Sequence, residues 1–172
     1  MISKKMTERL NRQINREIYS AYLYAGMASK SASLGLKGFE NWFLVQIKEE
    51  LSHAKRMYDY VNESGDRVML QDIEAPPQEY SSPIDLFEKT LEHEKRVTRM
   101  INDLVTLAKQ EKDKTTEGFL QWYVEEQEEE EEHAGGVLEK IKKAVEDNGD
   151  KGVSIINEYL ARRVFTPPEA KV

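Results

Sequence analysis

Along four long stretches of this chain, an apolar stripe of helical period is broken near its middle by a carboxylate. In the second stretch the stripe runs Phe43, Ile47, Ala54, Met57, Val61, and Glu50 and His53 fill the gap as a Glu-x-x-His pair at i and i+3. The first reads Met6, Leu10, Ile14, then Glu17, then Ala21, Tyr24, Ala28. The third reads Phe87, Leu91, then Glu94, then Val97, Ile101, Leu104, Ala108. The fourth reads Leu120, Tyr123, then Gln127 and Glu130, then Ala134, Val137, Ile141. One glutamate at a core register usually snorkels to water, and a lone Glu-x-x-His is common on a solvated helix. Four inward carboxylates with an imidazole are different, because in a low dielectric they repel one another unless cations lie between them. Four carboxylates neutralise two divalent ions.

Stops and starts delimit the stretches. The first helix is expected from Ser3 to Ser33, ending before Gly35, and the second from Lys37 to just before Gly65. Ser82-Pro83, a capping serine with proline at the first helical position, opens the third, which runs to about Glu111. The fourth starts between Asp113 and Thr115 and stops before Gly149. Short links pair the first helix with the second, and the third with the fourth, as antiparallel hairpins. Between the hairpins, Gly65 to Ser82 contains Pro76-Pro77 and has no helical period. A helix of this length spans roughly 40 Å, and an extended segment of this loop's length reaches roughly 55 Å. The loop is therefore long enough to travel the length of a bundle. The predicted fold is all-α: one domain over residues 1–172, a four-helix bundle with a long crossover over about 3–148, and a short fifth helix over about 150–164. That last segment has its own stripe, Val153, Ile156, Leu160, Val164, which must cover the bundle end or a neighbouring subunit.

Composition narrows the chemistry. The chain has no cysteine, which excludes disulfides, thiolate zinc and iron–sulfur clusters among its 172 residues. A net charge of -7 argues against nucleic acid and anionic lipid as partners. The N-terminus lacks an apolar targeting run and no stretch approaches membrane-spanning length, so a cytoplasmic location is expected. Oxygen ligands with one imidazole suit iron or manganese better than structural zinc, and Glu50 and Glu130 are the candidates to bridge two ions. Few protein nitrogens leave open positions for O2 or peroxide.

These residues resemble the ferritin family, specifically the non-haem ferritins of bacteria and archaea. The resemblance covers nearly the whole chain and rests on Asn-Arg-Glu-Ile-Tyr-Ser-Ala-Tyr-Leu-Tyr around Glu17, Glu-Glu-Leu-Ser-His at Glu49 to His53, the Pro-Pro crossover, Glu-His-Glu at Glu92 to Glu94, and Phe-Leu-Gln-Trp-Tyr-Val-Glu-Glu-Gln through Gln127. It implies a ferroxidase centre in which Glu17, Glu50 and His53 hold one iron, and Glu50, Glu94 and Glu130 hold the second with Gln127 beside it. Tyr24 matches the family's tyrosine next to the centre. A third iron position maps onto Glu49, Glu126, Glu129 and Glu130. The implied reaction is oxidation of two Fe(II) by O2 or H2O2, with ferric mineral stored in a twenty-four-subunit shell. The fourth helix reads Gln-x-x-Glu and Leu51 follows Glu50, both unlike bacterioferritins, so no haem is expected.

The remaining features read more plainly. From Glu125 to Glu132 every residue is Glu except Gln127. A helix presents such a run on all sides, so only part of it can face a metal, and the rest is a solvated face or a cavity lining. His133 reads as a surface histidine and His93 as an outer residue, turned roughly 100° from Glu94. Gly135-Gly136 suggests a kink or a close helix approach. Two other functions compete: a di-iron or di-manganese peroxidase or catalase that stores nothing, and a helical module that binds no metal.

Overall fold

The computed structural model describes residues 2–167. Five helices follow in order: α1 Lys4–Ser33, α2 Lys37–Glu63, α3 Pro83–Glu111, α4 Lys114–Asn148 and α5 Asp150–Leu160. No strand occurs among the described residues. The start signals act as read. The Ser3 hydroxyl accepts from Met6 N, Ser82 from Asp85 N and Asp113 from Thr116 N, each satisfying an orphan amide of a first turn. Gly35 makes the α1–α2 turn at φ +73°, where a side chain would be strained.

Residues 64–82 cross from the end of α2 to the start of α3 along α1. Two asparagines on α1 hold them by the backbone. Asn11 donates to Arg67 O at 3.3 Å and accepts from Met69 N at 3.1 Å. Asn15, four residues on, donates to Asp72 O at 3.1 Å and accepts from Gln71 N at 3.2 Å. Thr7 to Asp66, Arg16 to Glu74 and Lys30 to Glu79 extend the attachment along the helix.

The bundle has two apolar cores. One gathers Met27, Phe39, Trp42, Phe43, Leu86, Phe87 and Ile141. The other gathers Met6, Leu10, Ile14, Met57, Val61, Ile101, Leu104 and Leu120. In sequence, the mid-helix polar residues fall between them on every helix, so each stripe's interruption becomes a polar layer between two apolar blocks.

The C-terminal helix differs from expectation in two ways. It ends at Leu160, not Val164. The Asn41 side chain donates to the carbonyls of Leu160, Ala161 and Arg163 at 3.2, 3.4 and 3.0 Å, which satisfies them outside a helix, and Val164 is exposed, so burial gives it no reason to continue. The close approach is also elsewhere. α4 runs helical through Gly135-Gly136, where added Cβ atoms would meet only side-chain atoms at 3.9 Å or beyond. The tight glycines are Gly38, whose Cβ would lie 1.7 Å from Asn157 O, and Gly152, whose Cβ would lie 2.1 Å from Ala144 O. They seat α5 against α2 and α4. At the same junction Asn157 Oδ1 accepts from Gly38 N at 2.8 Å and caps α2, whose own N-cap Leu36 has no side-chain acceptor.

Gly38→Ala is therefore expected to destabilise the chain by about 1–3 kcal/mol or more through backbone overlap. Gly118→Ala, on α4 with open space around it, is expected to stabilise by about 1 kcal/mol. Thermal melts of the two variants check the pair, and a neutral Gly38→Ala would mean that α5 is not docked as described.

Candidate metal centre

Each helix of the bundle delivers its polar residue to one layer. Glu17, Glu50, His53, Glu94, Gln127 and Glu130 are all buried, as the stripes require, and Glu126 joins them. Two trios have ligand atoms all within 4.8 Å of one another: Glu17, Glu50 and His53, and His53, Glu126 and Glu130. The first is the trio expected for one iron. The second has Glu126 and His53 beside Glu130, where Glu50 and Glu94 were expected. His53 joins the two, with Nδ1 3.6 Å from Glu50 Oε2 and Nε2 3.5 Å from Glu126 Oε1. Glu94 instead accepts from the Tyr24 hydroxyl and, at 3.2 Å, from Gln127 Nε2. Tyr24 thus stands against a site carboxylate, as its proposed place next to the centre requires.

The other expected positions are less gathered. Glu49 is ion-paired with Arg163, and Glu129 lies partly exposed, 3.9 Å from His133. His133 is exposed, in keeping with a surface histidine. His93 is not an outer residue: it is buried, with Nε2 2.8 Å from Ser20 Oγ and its ring edge-on to Tyr24 at 5.9 Å. The 100° turn from Glu94 carries it onto α1 rather than into water.

Three supporting residues were not anticipated. Gln13 donates to Glu17 Oε1 at 2.8 Å, and Gln46 donates to Glu130 Oε2 at 3.0 Å. Thr98 lies within 3.4 Å of Gln127 Nε2. Gln13 and Gln46 sit four residues before Glu17 and Glu50, a spacing that places them on the same helix face and could have revealed them.

The layer fits cations. Buried Glu17 Oε2 and Gln46 Oε1 have no hydrogen-bond partner, and His53 Nε2 has only the long contact to Glu126, although buried polar groups are normally satisfied. No lysine or arginine is found paired with Glu17, Glu50, Glu94 or Glu130 among the described residues. Burial pushes the Glu94 carboxyl up to about 7 and that of Glu130 to about 8, with neighbouring carboxylates adding to it. Burial drives Glu50 well above its ordinary value as well. Burial alone would lower His53, but contacts with Glu126 and Glu50 outweigh it and hold the imidazole well above its usual range.

All four shifts act in the same direction on folding. A group raised in the folded state contributes stability that is fully present below its ordinary value and is lost as pH rises through the folded one. The metal-free protein is therefore expected to lose melting temperature as pH rises from about 5 to about 8, the window set by Glu94 and Glu130. Adding Zn(II) should recover more at the upper end than the lower, because the cation replaces the protons. A stability profile across that window that Zn(II) leaves unchanged would contradict the arrangement.

Four antiparallel helices around an inward carboxylate and imidazole layer define a bundle built to take up multivalent cations. The family model described as "Ferritin-like domain" matches residues 7–144, and the chain belongs to the ferritin family. It is 41% identical over 160 residues to the bacterial non-heme ferritin of Campylobacter jejuni, covering 93% of this chain and 95% of the relative. With the bacterial non-heme ferritin of Bacteroides fragilis it shares 38% over 163 residues, covering 95% and 100%. Its fold superposes on the open pore ferritin of the archaeon Archaeoglobus fulgidus with a TM-score of 0.92 at 52% identity, covering 95% of this chain and 100% of that one. An engineered closed form of the same archaeal ferritin gives 0.93 at 52%, covering 96% and 100%.

Proposed function

We propose that this chain is an iron-storage ferritin that oxidises Fe(II) within its own bundle and deposits the ferric product inside an oligomeric shell. The observation that carries the reading is the buried layer itself: carboxylates and an imidazole from four helices, with orphaned ligand atoms and, among the described residues, no lysine or arginine found against Glu17, Glu50, Glu94 or Glu130. Family membership supports it. Iron enters this account as substrate.

In this reading Glu17, Glu50 and His53 take one Fe(II). Glu130 and Glu94 take the second, with Glu50 shared and Gln127 alongside. Entry of the cations expels the protons that burial keeps on Glu50, Glu94 and Glu130. Each Fe(II) gives one electron to O2, which leaves as peroxide with two protons; with H2O2 as oxidant the two electrons and two protons yield water. The Tyr24 hydroxyl, held on Glu94, lies beside the reacting pair. Glu49, Glu126, Glu129 and Glu130 form the third position, reached as iron moves on. The exposed face of the acidic run, Glu125, Glu128 and Glu132, attracts the product cations. The shell is taken to have twenty-four subunits and the setting to be cytoplasmic. Among the described residues no helix is long and apolar enough to cross a membrane.

Aerobic Fe(II) loading of metal-free protein, followed by size-exclusion chromatography that reads iron and protein together, tests the proposal. Iron beyond two per subunit is expected to co-elute with a large soluble particle. Precipitation of everything above about two irons per subunit would favour a di-metal redox enzyme instead. Glu50→Ala and His53→Ala are each expected to slow initial Fe(II) oxidation by at least about tenfold while the assembly persists. Unchanged initial rates in stopped-flow absorbance would move the centre elsewhere. Glu129→Ala is expected to alter successive turnovers more than the first, as repeated Fe(II) additions would reveal.

A further inference from the structure

The proposed third iron position contains an arginine as well as carboxylates. Arg163, in the chain just past α5, places Nη2 2.6 Å from Glu49 Oε2, with the two side chains only 17% and 14% exposed. The guanidinium is held on its other sides. Nη1 donates to Trp42 O at 3.3 Å, and the charge lies over the Trp42 ring at 4.4 Å. The backbone of this segment is anchored separately, because Asn41 takes the Leu160, Ala161 and Arg163 carbonyls. The guanidinium is therefore not needed to pin the segment, yet it reaches past Trp42 to a carboxylate at the edge of the cation layer.

Glu49 sits one residue before Glu50 on α2 and lines one cavity with Glu129, another carboxylate of the third position. A carboxylate so placed cannot serve an arginine and an incoming cation at full strength at once. Beside the pair lies a cavity of 570 Å³ whose lining includes Glu49, Glu129, Glu132, His133 and Arg163. It gives the guanidinium somewhere to go, with Glu132 there to receive it.

We propose that Arg163 is a tethered counter-cation that closes the Glu49 side of the third position, so that a metal ion occupies the position only by displacing it. The inference rests on the ferroxidase reading above. It gives the third position a built-in threshold. The two central positions fill first, and the third fills when the free cation concentration is high enough to compete with a resident guanidinium. Arg163 is in these terms a positioning residue: it touches Glu49 and sets its availability.

Calorimetric titration of metal-free, assembled protein with Zn(II), which binds without being oxidised, tests this by comparing the third binding step with the first two. Arg163→Gln is expected to tighten the third step by about tenfold or more, the weight of a charge-assisted hydrogen bond. Arg163→Lys, which keeps the charge but loses the fork, should fall between it and the parent. In a Glu49→Gln background Arg163→Gln should add nothing, because the pair is already broken. A third step unchanged or weakened in both Arg163 variants, with only the melting temperature lowered, would overturn the proposal and leave Arg163 as a structural pin. Absence of the first two steps from the parent protein would overturn the ferroxidase reading and this inference together.

Discussion

Mutual repulsion among buried carboxylates organises this molecule. Glu17, Glu50, Glu94, Glu126 and Glu130 lie in the middle of the bundle with one imidazole bridging two of them. Such a layer is not a stabilising feature in a low dielectric. The fold tolerates it because apolar blocks on either side supply the burial, through Phe39, Phe43 and Phe87 on one side and Met57, Ile101 and Leu104 on the other. The two hairpins divide the layer between them: Glu17, Glu50 and His53 come from α1 and α2, and Glu94, Gln127 and Glu130 from α3 and α4. A cation held by His53, Glu126 and Glu130 would therefore bond one hairpin to the other. Gln46 and Tyr24 do part of that work with hydrogen bonds, from α2 to Glu130 on α4 and from α1 to Glu94 on α3, while Gln13 steadies Glu17 within α1.

Most of the architecture was legible because it depends on period and punctuation. The stripes gave the helices and their inward faces, Ser82-Pro83 and Gly149 gave two boundaries, and loop length separated hairpins from crossover. The carboxylate layer was legible for the same reason, since an interruption in a period is itself periodic. What escaped depends on which neighbour happens to lie opposite. Within Glu125–Glu132 the resemblance picked out Glu126, but the period alone could not rank it against Glu125 or Glu128, and only Glu126 and Glu130 among these glutamates are buried. His93 was read from its angle to Glu94, but that angle points at Ser20 and Tyr19 on α1. Gly38 and Gly152 look unremarkable in the sequence, beside the conspicuous Gly135-Gly136, because backbone overlap with Asn157 and Ala144 is a property of the docked α5.

The short fifth helix does more than cover an end of the bundle. Asn157 supplies the acceptor that the α2 N-terminus lacks, Asn41 returns the favour at the α5 C-terminus, and Arg163 runs on to Glu49 over Trp42. These contacts join α5 and the segment after it to α2, the helix that carries Glu50 and His53. Displacement of α5 therefore has a route by which to alter the metal ligands, although α5 contributes none of those proposed.

The amide ladder between α1 and the crossover has a consequence for how this sequence can diverge. Asn11 and Asn15 recognise N–H and C=O groups, which every residue but proline provides, so the side chains of residues 67–72 are not read by their partner helix at these points. The amide rungs match because the four helical residues from Asn11 to Asn15 advance about 6 Å, close to the roughly 6.6 Å of the two extended residues from Met69 N to Gln71 N. Spacing is thereby fixed while identity is free. Outward residues such as Met69 and Leu70 can be rewritten by selection or by design, to suit whatever surface meets them, without touching the topology, whereas a single insertion between the rungs would put the strap out of step with its helix.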